Sequence, residues 1–428
     1  MTDATAPASP ASFVSGGALY RLVWKWHFLA SLYVLPFMAM LALTGGIYLY
    51  KPQIENWLYA NYMHVQQTGA PLPLEIQVDV LREAHGITRL RGITQYDDPT
   101  RSTKIEYNDA DKIRSYAWVN PYSGEVLGTV ARDEMPMRML RKFHGELLLG
   151  KTGTKFVELA AHWSIVMFIT GAYLWWPRGK RTLSQAVAPP KGGPSKGRSW
   201  WRETHLFTGF LAVVLVTPIL VSGLPWTDVW GGGLSQIQKA TGQNSQSMRF
   251  RGAPKSTSDS GVTIPYEDVF AIAREEGLKA PYEMRPPRKA NGAYWIRSAS
   301  KNRNDQTELV IDRYSGDILK RLDFKDNPAV AKTVSYGISF HQGELYGLTN
   351  LIQNTVAAIL ALLLSVTGFV AWWKRRPAGS LGVPNAPDAA LSPGMIALVV
   401  LLSILFPLVG ASLIVALILD WAILRRLR

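Results

Sequence analysis

The sequence contains no cysteine among its 428 residues. This absence excludes disulfides, thiolate chemistry, Cys-ligated iron–sulfur clusters and covalently attached c-type haem. A bound metal or haem iron must therefore be held by histidine, methionine, tyrosine or carboxylate side chains. The sequence also lacks a P-loop, a dinucleotide-binding fingerprint, a metalloprotease helix motif and a nucleophile triad. We therefore expect no nicotinamide- or flavin-binding domain in this chain.

Charged residues are scarce, at 18% of the chain, whereas soluble domains carry about 25%. Several uncharged stretches reach the ~20 apolar residues that a helix needs to cross the hydrocarbon core. An all-soluble fold is therefore excluded. One further candidate span, Phe156–Trp176, contains a single Glu and a single His. The uncharged stretches are Phe28–Tyr50, Leu206–Leu224, Leu351–Trp373 and Met395–Leu419.

The distribution of Lys and Arg predicts the orientation of the spans. The connector Arg178–Arg202 contains seven basic residues and no acid, and Lys374–Arg376 follows the fourth span. Cytoplasmic loops carry such an excess, so we expect a cytoplasmic N-terminus and two external regions, 51–155 and 225–350. Residues 1–19 are small and polar, which predicts that no cleavable signal peptide is present. Because the net charge of +14 largely flanks the spans, we expect no nucleic-acid partner.

The final apolar stretch is the one whose topology the sequence leaves undecided. A single crossing would place Arg425, Arg426 and Arg428 outside, against the charge rule. Pro407 and Gly410 instead permit a kink or a re-entrant hairpin, but each arm would be too short to span.

The sequence repeats itself in the same orientation at about 190 residues. Each half has the order span, small α+β domain, span, and a parallel duplication places equivalent residues around an axis along the membrane normal. Each domain has a helix-like segment (Leu74–His85 or Tyr266–Glu276) before a strand, a tight Ser-Gly turn and a second strand. The matched features are His27 with His205, His144 with His341, Thr170-Gly171 with Thr367-Gly368, and Val119–Leu127 with Ile311–Leu319.

Four of the seven histidines follow this repeat. His27 and His205 lie at the cytoplasmic ends of spans one and three, and His144 and His341 precede spans two and four near the outer face. Paired imidazoles from two helices are what bis-histidine ligation of a haem iron requires. Structural hydrogen bonding and a non-haem metal site are the alternatives. The external histidines without repeat partners, expected at the surface, are His64 and His85.

His162 differs from these four because it lies inside span two, about 9 Å deep at 1.5 Å per residue. It is an alternative to His144 as the outer ligand, a hydrogen-bond donor to a propionate, or a partner of Glu158 one helical turn earlier. We favour His144 because the repeat supports it. We expect His144 on an interfacial helix, Met135–Leu149, followed by a break at Lys151–Lys155.

The external regions carry many basic side chains, which predict an electropositive surface that attracts an anionic substrate. The sequence does not identify individual substrate or catalytic residues. The basic residues are Arg82, Arg89, Arg91, Arg101, Lys104, Arg114, Arg285, Arg288, Lys289, Arg297, Lys301 and Arg303.

The doubled arrangement, with Tyr-Ser-Gly-Glu-Val-Leu-Gly, Phe-His-Gly-Glu-Leu and Thr-Gly-x-Tyr-Leu-Trp-Trp-Pro-Arg, resembles the PepSY-associated transmembrane (PepSY-TM) family over residues 20–376. Its members include iron-regulated inner-membrane proteins and haem-containing ferric-siderophore reductases. The resemblance implies a multi-pass protein of the bacterial inner membrane with two haem b groups and a cytoplasmic or quinol electron donor. The implied haem ligands are His27, His144, His205 and His341, with His162 as an alternative.

The sequence therefore predicts an α-helical integral membrane bundle of four core spans plus a C-terminal apolar segment, with two small α+β PepSY-like periplasmic domains in an internal parallel duplication. The segments are a cytoplasmic tail 1–19, first span 20–50, first domain 51–134, interfacial helix and second span 135–176, basic loop 177–202, third span 203–224, second domain 225–335, fourth span region 336–376, linker 377–394 and C-terminal membrane segment 395–428.

We expect a transmembrane b-type di-haem oxidoreductase that reduces a ferric siderophore, or a similar ferric chelate, in the periplasm. Two other functions stay open. One is a non-enzymatic PepSY-type binding or regulatory module, and the other is an accessory component of metal uptake that binds copper or iron without redox chemistry.

Overall fold

The computed structural model describes residues 16–247, 254–256, 261–289, 291–385 and 391–424. Most of the predicted N-terminal tail, part of the linker 377–394, and Arg425, Arg426 and Arg428 lie outside the described residues. The chain divides into two compact units. We call them the helical unit (Met1–Gly46, His144–Leu234 and Ile352–Arg428) and the sheet unit (Ile47–Phe143 and Ser235–Leu351).

Each half of the chain has helices before and after a group of four strands. The helices are α1 Gly16–Leu49, α2 Lys51–Leu58, α3 Ala60–Met63, α4 Leu74–His85, α5 Pro136–Glu146, α6 Lys151–Trp175, α7 Leu183–Ala186, α8 Arg198–Gly223, α9 Trp230–Ala240, α10 Tyr266–Glu275, α11 Ala329–His341, α12 Leu348–Trp373, α13 Pro393–Leu405 and α14 Pro407–Leu419. The strands are β1 Arg89–Gln95, β2 Thr103–Asn108, β3 Arg114–Val119, β4 Val126–Ala131, β5 Tyr282–Arg285, β6 Tyr294–Ser298, β7 Thr307–Ile311 and β8 Ile318–Asp323.

Four helices, α1, α6, α8 and α12, are long and apolar enough to cross a membrane, as the sequence predicted. Helices suit this role because lipid offers no partner for backbone N–H and C=O groups, which a helix satisfies internally. Small side chains bring the helices together, since they allow close backbone approach. The buried core of these four helices contains Val34, Met38, Phe168, Ala212, Val216, Ala357 and Ala361.

The C-terminal apolar stretch forms a helical hairpin rather than one crossing helix. Helices α13 and α14 have 13 residues each, or about 20 Å at 1.5 Å per residue. Phe406 separates them, with φ −124° and ψ 82°. Gly410 of α14 packs on Ser403 of α13, where a Cβ on the glycine would lie 2.9 Å from the serine Cβ. The structure therefore contains the interruption near Pro407 that both a kink and a re-entrant hairpin require.

The strands of both external regions form one antiparallel sheet in the order β4-β3-β2-β1-β5-β6-β7-β8. Where the sequence predicted two small domains, the structure joins them edge to edge through β1 and β5, with Ile93 opposite Met284. This pairing protects two edges that would otherwise expose unpaired backbone groups. The two regions consequently share one hydrophobic core.

Helices α4 and α10 cover one face of the sheet. Helix α4 has the predicted bounds, and α10 ends one residue earlier than predicted. Leu74, Val78 and Leu81 recur at the spacing of a helix face and are buried in the shared core.

Matching turns connect β3 to β4 and β7 to β8, at the predicted Ser-Gly sites. The side-chain oxygen of Asn120 accepts the N–H of Tyr122 at 2.9 Å, and that of Asp312 accepts the N–H of Tyr314 at 2.8 Å. Each turn contains a glycine with positive φ, which other residues adopt at a cost. These glycines are Gly124 (φ 76°) and Gly316 (φ 78°).

The N-termini of α4 and α10 cap each other. The N–H of Leu74 donates to the Glu267 carboxylate, and the N–H of Tyr266 donates to Glu75 Oε1 at 2.6 Å. Carboxylates suit these positions because the first N–H groups of a helix have no partner within it. Burial raises the pKa of Glu75, and its hydrogen bond with Glu267 raises it further.

We predict that Glu75→Gln stabilises the sheet unit at pH 7 and less so at pH 4. The amide keeps an acceptor for Tyr266 without requiring a buried carboxyl to lose its proton. The pKa of Glu75 is higher in the folded protein than in the unfolded chain. Its contribution to the free energy of unfolding is therefore fully present below the pKa of the unfolded chain, and it is lost as the pH rises through the pKa of the folded protein. Thermal unfolding at both pH values measures the difference. The control is Glu83→Gln on the exposed side of α4, and an effect of Glu75→Gln independent of pH would contradict the prediction.

Candidate functional site

Three imidazoles of the helical unit lie against Thr-Gly pairs on a neighbouring helix. His27 of α1 contacts Thr170 and Gly171 of α6, and His205 of α8 contacts Thr367 and Gly368 of α12. His144 of α5 contacts Thr44 and Gly45 of α1. A Cβ added to the glycine would lie within 3.0–3.3 Å of the imidazole Cε1 in all three contacts, so the missing side chain makes room for the ring. The distances are 3.3 Å at Gly171, 3.0 Å at Gly368 and 3.1 Å at Gly45.

The hydrogen bond of His205 identifies its tautomer. Its Nδ1 lies 3.2 Å from the carbonyl oxygen of Leu364. A carbonyl only accepts, so Nδ1–H is the donor. In the neutral ring, Nε2 then carries the lone pair that can bind a metal.

His27 and His144 have the same tautomer for a related reason. His27 Nδ1 lies 2.9 Å from Thr170 Oγ1, and His144 Nδ1 lies 2.8 Å from Thr44 Oγ1. Each hydroxyl has one hydrogen and donates it to its own helix, at 3.1 Å for Thr170 to Met167 O and at 2.7 Å for Thr44 to Met40 O. A hydroxyl that donates to this carbonyl accepts Nδ1–H from the imidazole. In that arrangement both rings carry the lone pair on Nε2.

This arrangement is the one that metal-binding histidines use, since they donate their other ring N–H to a carbonyl or a comparable acceptor. Within the described ranges, no group of three or more His, Asp or Glu side chains is gathered for a metal ion. The chemistry of these donors suits two-imidazole ligation, which needs only pairs.

The fourth repeated histidine, His341, is the last residue of α11 and is half-buried in the sheet unit. Its pairing with His144 stays a prediction.

The chain around His144 differs from the prediction in one respect. Helix α5 ends at Glu146 rather than Leu149, and the predicted break at Lys151–Lys155 is instead the beginning of α6. The break lies at Leu147–Gly150, where φ is positive at three residues. Gly153 explains the early start of α6, because it packs directly on the Glu146 carbonyl, where a side chain would collide.

His162 has a different environment from the other candidates. Its side chain is fully buried, and neither ring nitrogen has a hydrogen-bond partner among the described residues. The ring lies against Phe406 at the tip of the C-terminal hairpin, with centroids 4.9 Å apart. Its Nε2 is 3.8 Å from Glu158 Oε1, beyond hydrogen-bond distance. Since α6 begins at Lys151, His162 lies about 16 Å along this helix from its first residue.

Glu158 is buried next to His162 but binds elsewhere. Its two carboxylate oxygens accept the N–H groups of Val229 at 2.9 Å and Trp230 at 2.7 Å, at the N-terminus of α9. This helix end has unpaired N–H groups and a positive dipole, which a carboxylate satisfies. Sequence reasoning considered Glu158 only as a partner for His162 and missed this cap, because α9 is distant along the chain.

We predict that Glu158→Ala destabilises the helical unit strongly. The change leaves two backbone N–H groups without their acceptor, and a hydrogen bond to a charged group contributes about 1.5–3 kcal/mol. Glu158→Gln keeps one good acceptor and should have an intermediate effect. Thermal unfolding in detergent, followed by tryptophan fluorescence, measures both.

The control for this experiment is Asp228→Ala. Asp228 forms a partly exposed ion pair with Lys155 at 3.7 Å, and such pairs contribute about 0–1 kcal/mol. Equal unfolding temperatures for Glu158→Ala and Asp228→Ala would contradict the capping role.

Residues 24–375 match a family described as the PepSY-associated TM region. The match extends from α1 to the residues directly after α12, and it ends before the C-terminal hairpin. No curated protein matches the chain.

Proposed function

The chain belongs to the PepSY-associated transmembrane family, and on this premise we propose that it is a di-haem b-type oxidoreductase. It passes electrons across a bacterial inner membrane to a ferric siderophore or similar ferric chelate in the periplasm. In this proposal His27 and His205 hold the inner haem iron, and His144 and His341 hold the outer one.

The shared tautomer of three histidines is the observation that carries this proposal. His27, His144 and His205 each place Nδ1 within hydrogen-bond distance of an acceptor on a neighbouring helix, so that Nε2 is the ring nitrogen that would bind a metal. A histidine retained only for hydrogen bonding would not need the same nitrogen in all three places. The glycine beside each ring adds a matched space.

The residues present fit haem b. The donors are imidazoles in a cysteine-free chain, and apolar helices surround two of them, which disfavours imidazolium. Bound haem would supply one-electron transfer. The protein's own contribution is to hold each ring against its Thr-Gly pair, so that Nδ1 stays protonated and the ring keeps one orientation.

A ferric chelate suits a protein of this kind because its reaction needs no acid or base residue. Oxygen donors bind the hard Fe(III) ion well, and addition of one electron to give Fe(II) loosens the complex. The electron originates from a cytoplasmic or quinol donor. The substrate then requires only a binding surface at the periplasmic side, for which the basic residues of the sheet unit are candidates.

His144 is supported over His162 as the outer ligand. Its ring has the Thr-Gly environment found around His27 and His205. The ring of His162 instead faces Phe406 of the hairpin and makes no hydrogen bond that would orient it.

We predict that the purified protein has a Soret band and a sharp reduced α-band. His27→Ala or His205→Ala should each remove about half of the haem, because a two-ligand iron site does not tolerate loss of one imidazole. The pyridine haemochrome assay measures haem per chain. His85→Ala, at the exposed end of α4, is the control. A colourless, folded wild type would instead support the non-enzymatic binding module.

We further predict that replacing His144 and His341 together by Ala abolishes reduction of a ferric chelate, while the inner haem is retained. Stopped-flow absorbance with reduced protein and a ferric chelate measures the transfer. Loss of transfer in His162→Ala with normal transfer in His144→Ala would overturn the assignment and make His162 the outer ligand.

A further inference from the structure

The sheet unit contains a pocket of about 260 Å³ that is strongly basic. It lies at the face of the sheet opposite α4 and α10, because Lys104 alternates along β2 with the core residue Ile105. Five cationic side chains and one carboxylate line it, so its net charge is positive. The charged residues are Lys51, Lys104, Arg132, Arg138, Arg141 and Glu55.

Lys104 is the most unusual of these residues. Its ammonium group stacks on the ring of Tyr116 at 4.1 Å and lies 5.4 Å from the ring of Trp118. Its side chain is half-buried and forms no ion pair with the described carboxylates, and partial removal from water lowers its pKa. Removing a charge from water is unfavourable unless it is paired, and cation–π contacts offset only part of this cost. A bound anion would supply the missing partner.

Two other pocket cations are only partly neutralised. Lys51 pairs with Glu55 at 3.1 Å inside the pocket, while Arg138 pairs with Asp133, whose side chain is 68% exposed. Clustered cations of this kind attract and orient carboxylates, and Arg binds them in a bidentate manner.

The fold does not require these cations. In the other half of the sheet, β6 and β7 occupy the places of β2 and β3. Lys104 lies opposite Trp118 in the first half, and Trp295 lies opposite Val310 at the equivalent place in the second half. There, Trp295 donates through Nε1 to Glu308 Oε2 at 3.0 Å. Trp295 and Glu308 thus occupy the positions in the second half that Lys104 and Tyr116 occupy in the first half.

We infer that this pocket binds the carboxylate groups of an anionic ferric chelate. The inference rests on the proposed function and names the substrate class, which is a ferric polycarboxylate rather than a neutral or cationic hydroxamate complex. The volume admits a group of the size of citrate, so a larger chelate would place only its charged arm there. Arg138 and Arg141 also precede His144 by six and three residues in α5.

Binding is tested without electron transfer by using gallium(III) citrate, because Ga(III) has the charge of Fe(III) but is not reduced. Isothermal titration of the full chain in detergent should show saturable binding that weakens with salt. Lys104→Gln should weaken it roughly ten- to one-hundred-fold, the loss expected for one charge-assisted hydrogen bond. Arg132→Gln should also weaken it and serves as the second variant if Lys104→Gln does not fold.

The control is Lys320→Gln, an exposed lysine of β8 with the same change in charge. Equal affinities in Lys104→Gln and Lys320→Gln would overturn the inference. Loss of haem from Lys104→Gln would also overturn the inference, because it would assign the pocket to a haem propionate. Displacement of gallium citrate by inorganic phosphate or anionic lipid at low concentration would overturn it as well. If Lys104→Gln weakens the binding of gallium citrate but the wild-type protein does not reduce ferric citrate, the inference is supported and the proposed function is contradicted.

Discussion

The helical unit depends on one recurring interaction: His27, His144 and His205 each place a ring nitrogen against an acceptor on a neighbouring helix, which offsets the cost of removing a polar group from water. A threonine inside a helix is such an acceptor, because its only hydrogen is already donated to a carbonyl of its own helix. Thr44, Thr170 and Thr367 all do this, through bonds of 2.7–3.1 Å. The glycine that follows each threonine gives the ring room to approach. The Thr-Gly dipeptide therefore sets both the protonated nitrogen and the position of the imidazole that contacts it.

Local signals in the sequence predicted much of the fold. Uninterrupted hydropathy identified α1, α8 and α12, and helix periodicity with turn residues identified α4 and the Ser-Gly turns. The pairing of β1 with β5 was not predictable in the same way, because it joins segments nearly 200 residues apart and has no local signature. The break after α5 was misplaced because glycine and threonine at 151–155 resemble a turn, whereas close packing of Gly153 on Glu146 makes them helical.

The candidate site was predicted to a similar extent. Equal spacing in two halves singled out His27 and His205, and it also matched Thr170-Gly171 with Thr367-Gly368. The role of the threonines as hydrogen-bond acceptors depends on which helices pack against each other, and the linear sequence does not show this packing. The ring of His162 packs against Phe406, which lies outside the residues that match the family. Likewise Lys104 could not be distinguished in the sequence from a solvated lysine, since only the strand register places it on Tyr116 and Trp118.

The two halves of the chain agree in some features and differ in others, and the difference has a chemical meaning under the proposed function. The contacts of His27 and His205 are nearly the same, as expected for two ligands from equivalent positions that hold one haem iron. The basic pocket with Lys104 lies in the first half, whereas Trp295 and Glu308 occupy the equivalent place in the second half, and His162 has the apolar Ile359 at its repeat position. Electron carriers bound by two imidazoles need donors from both halves, whereas a substrate needs one binding site. A second basic pocket would gather further half-buried cations without a second acceptor to bind, and Trp295 with Glu308 avoids that cost.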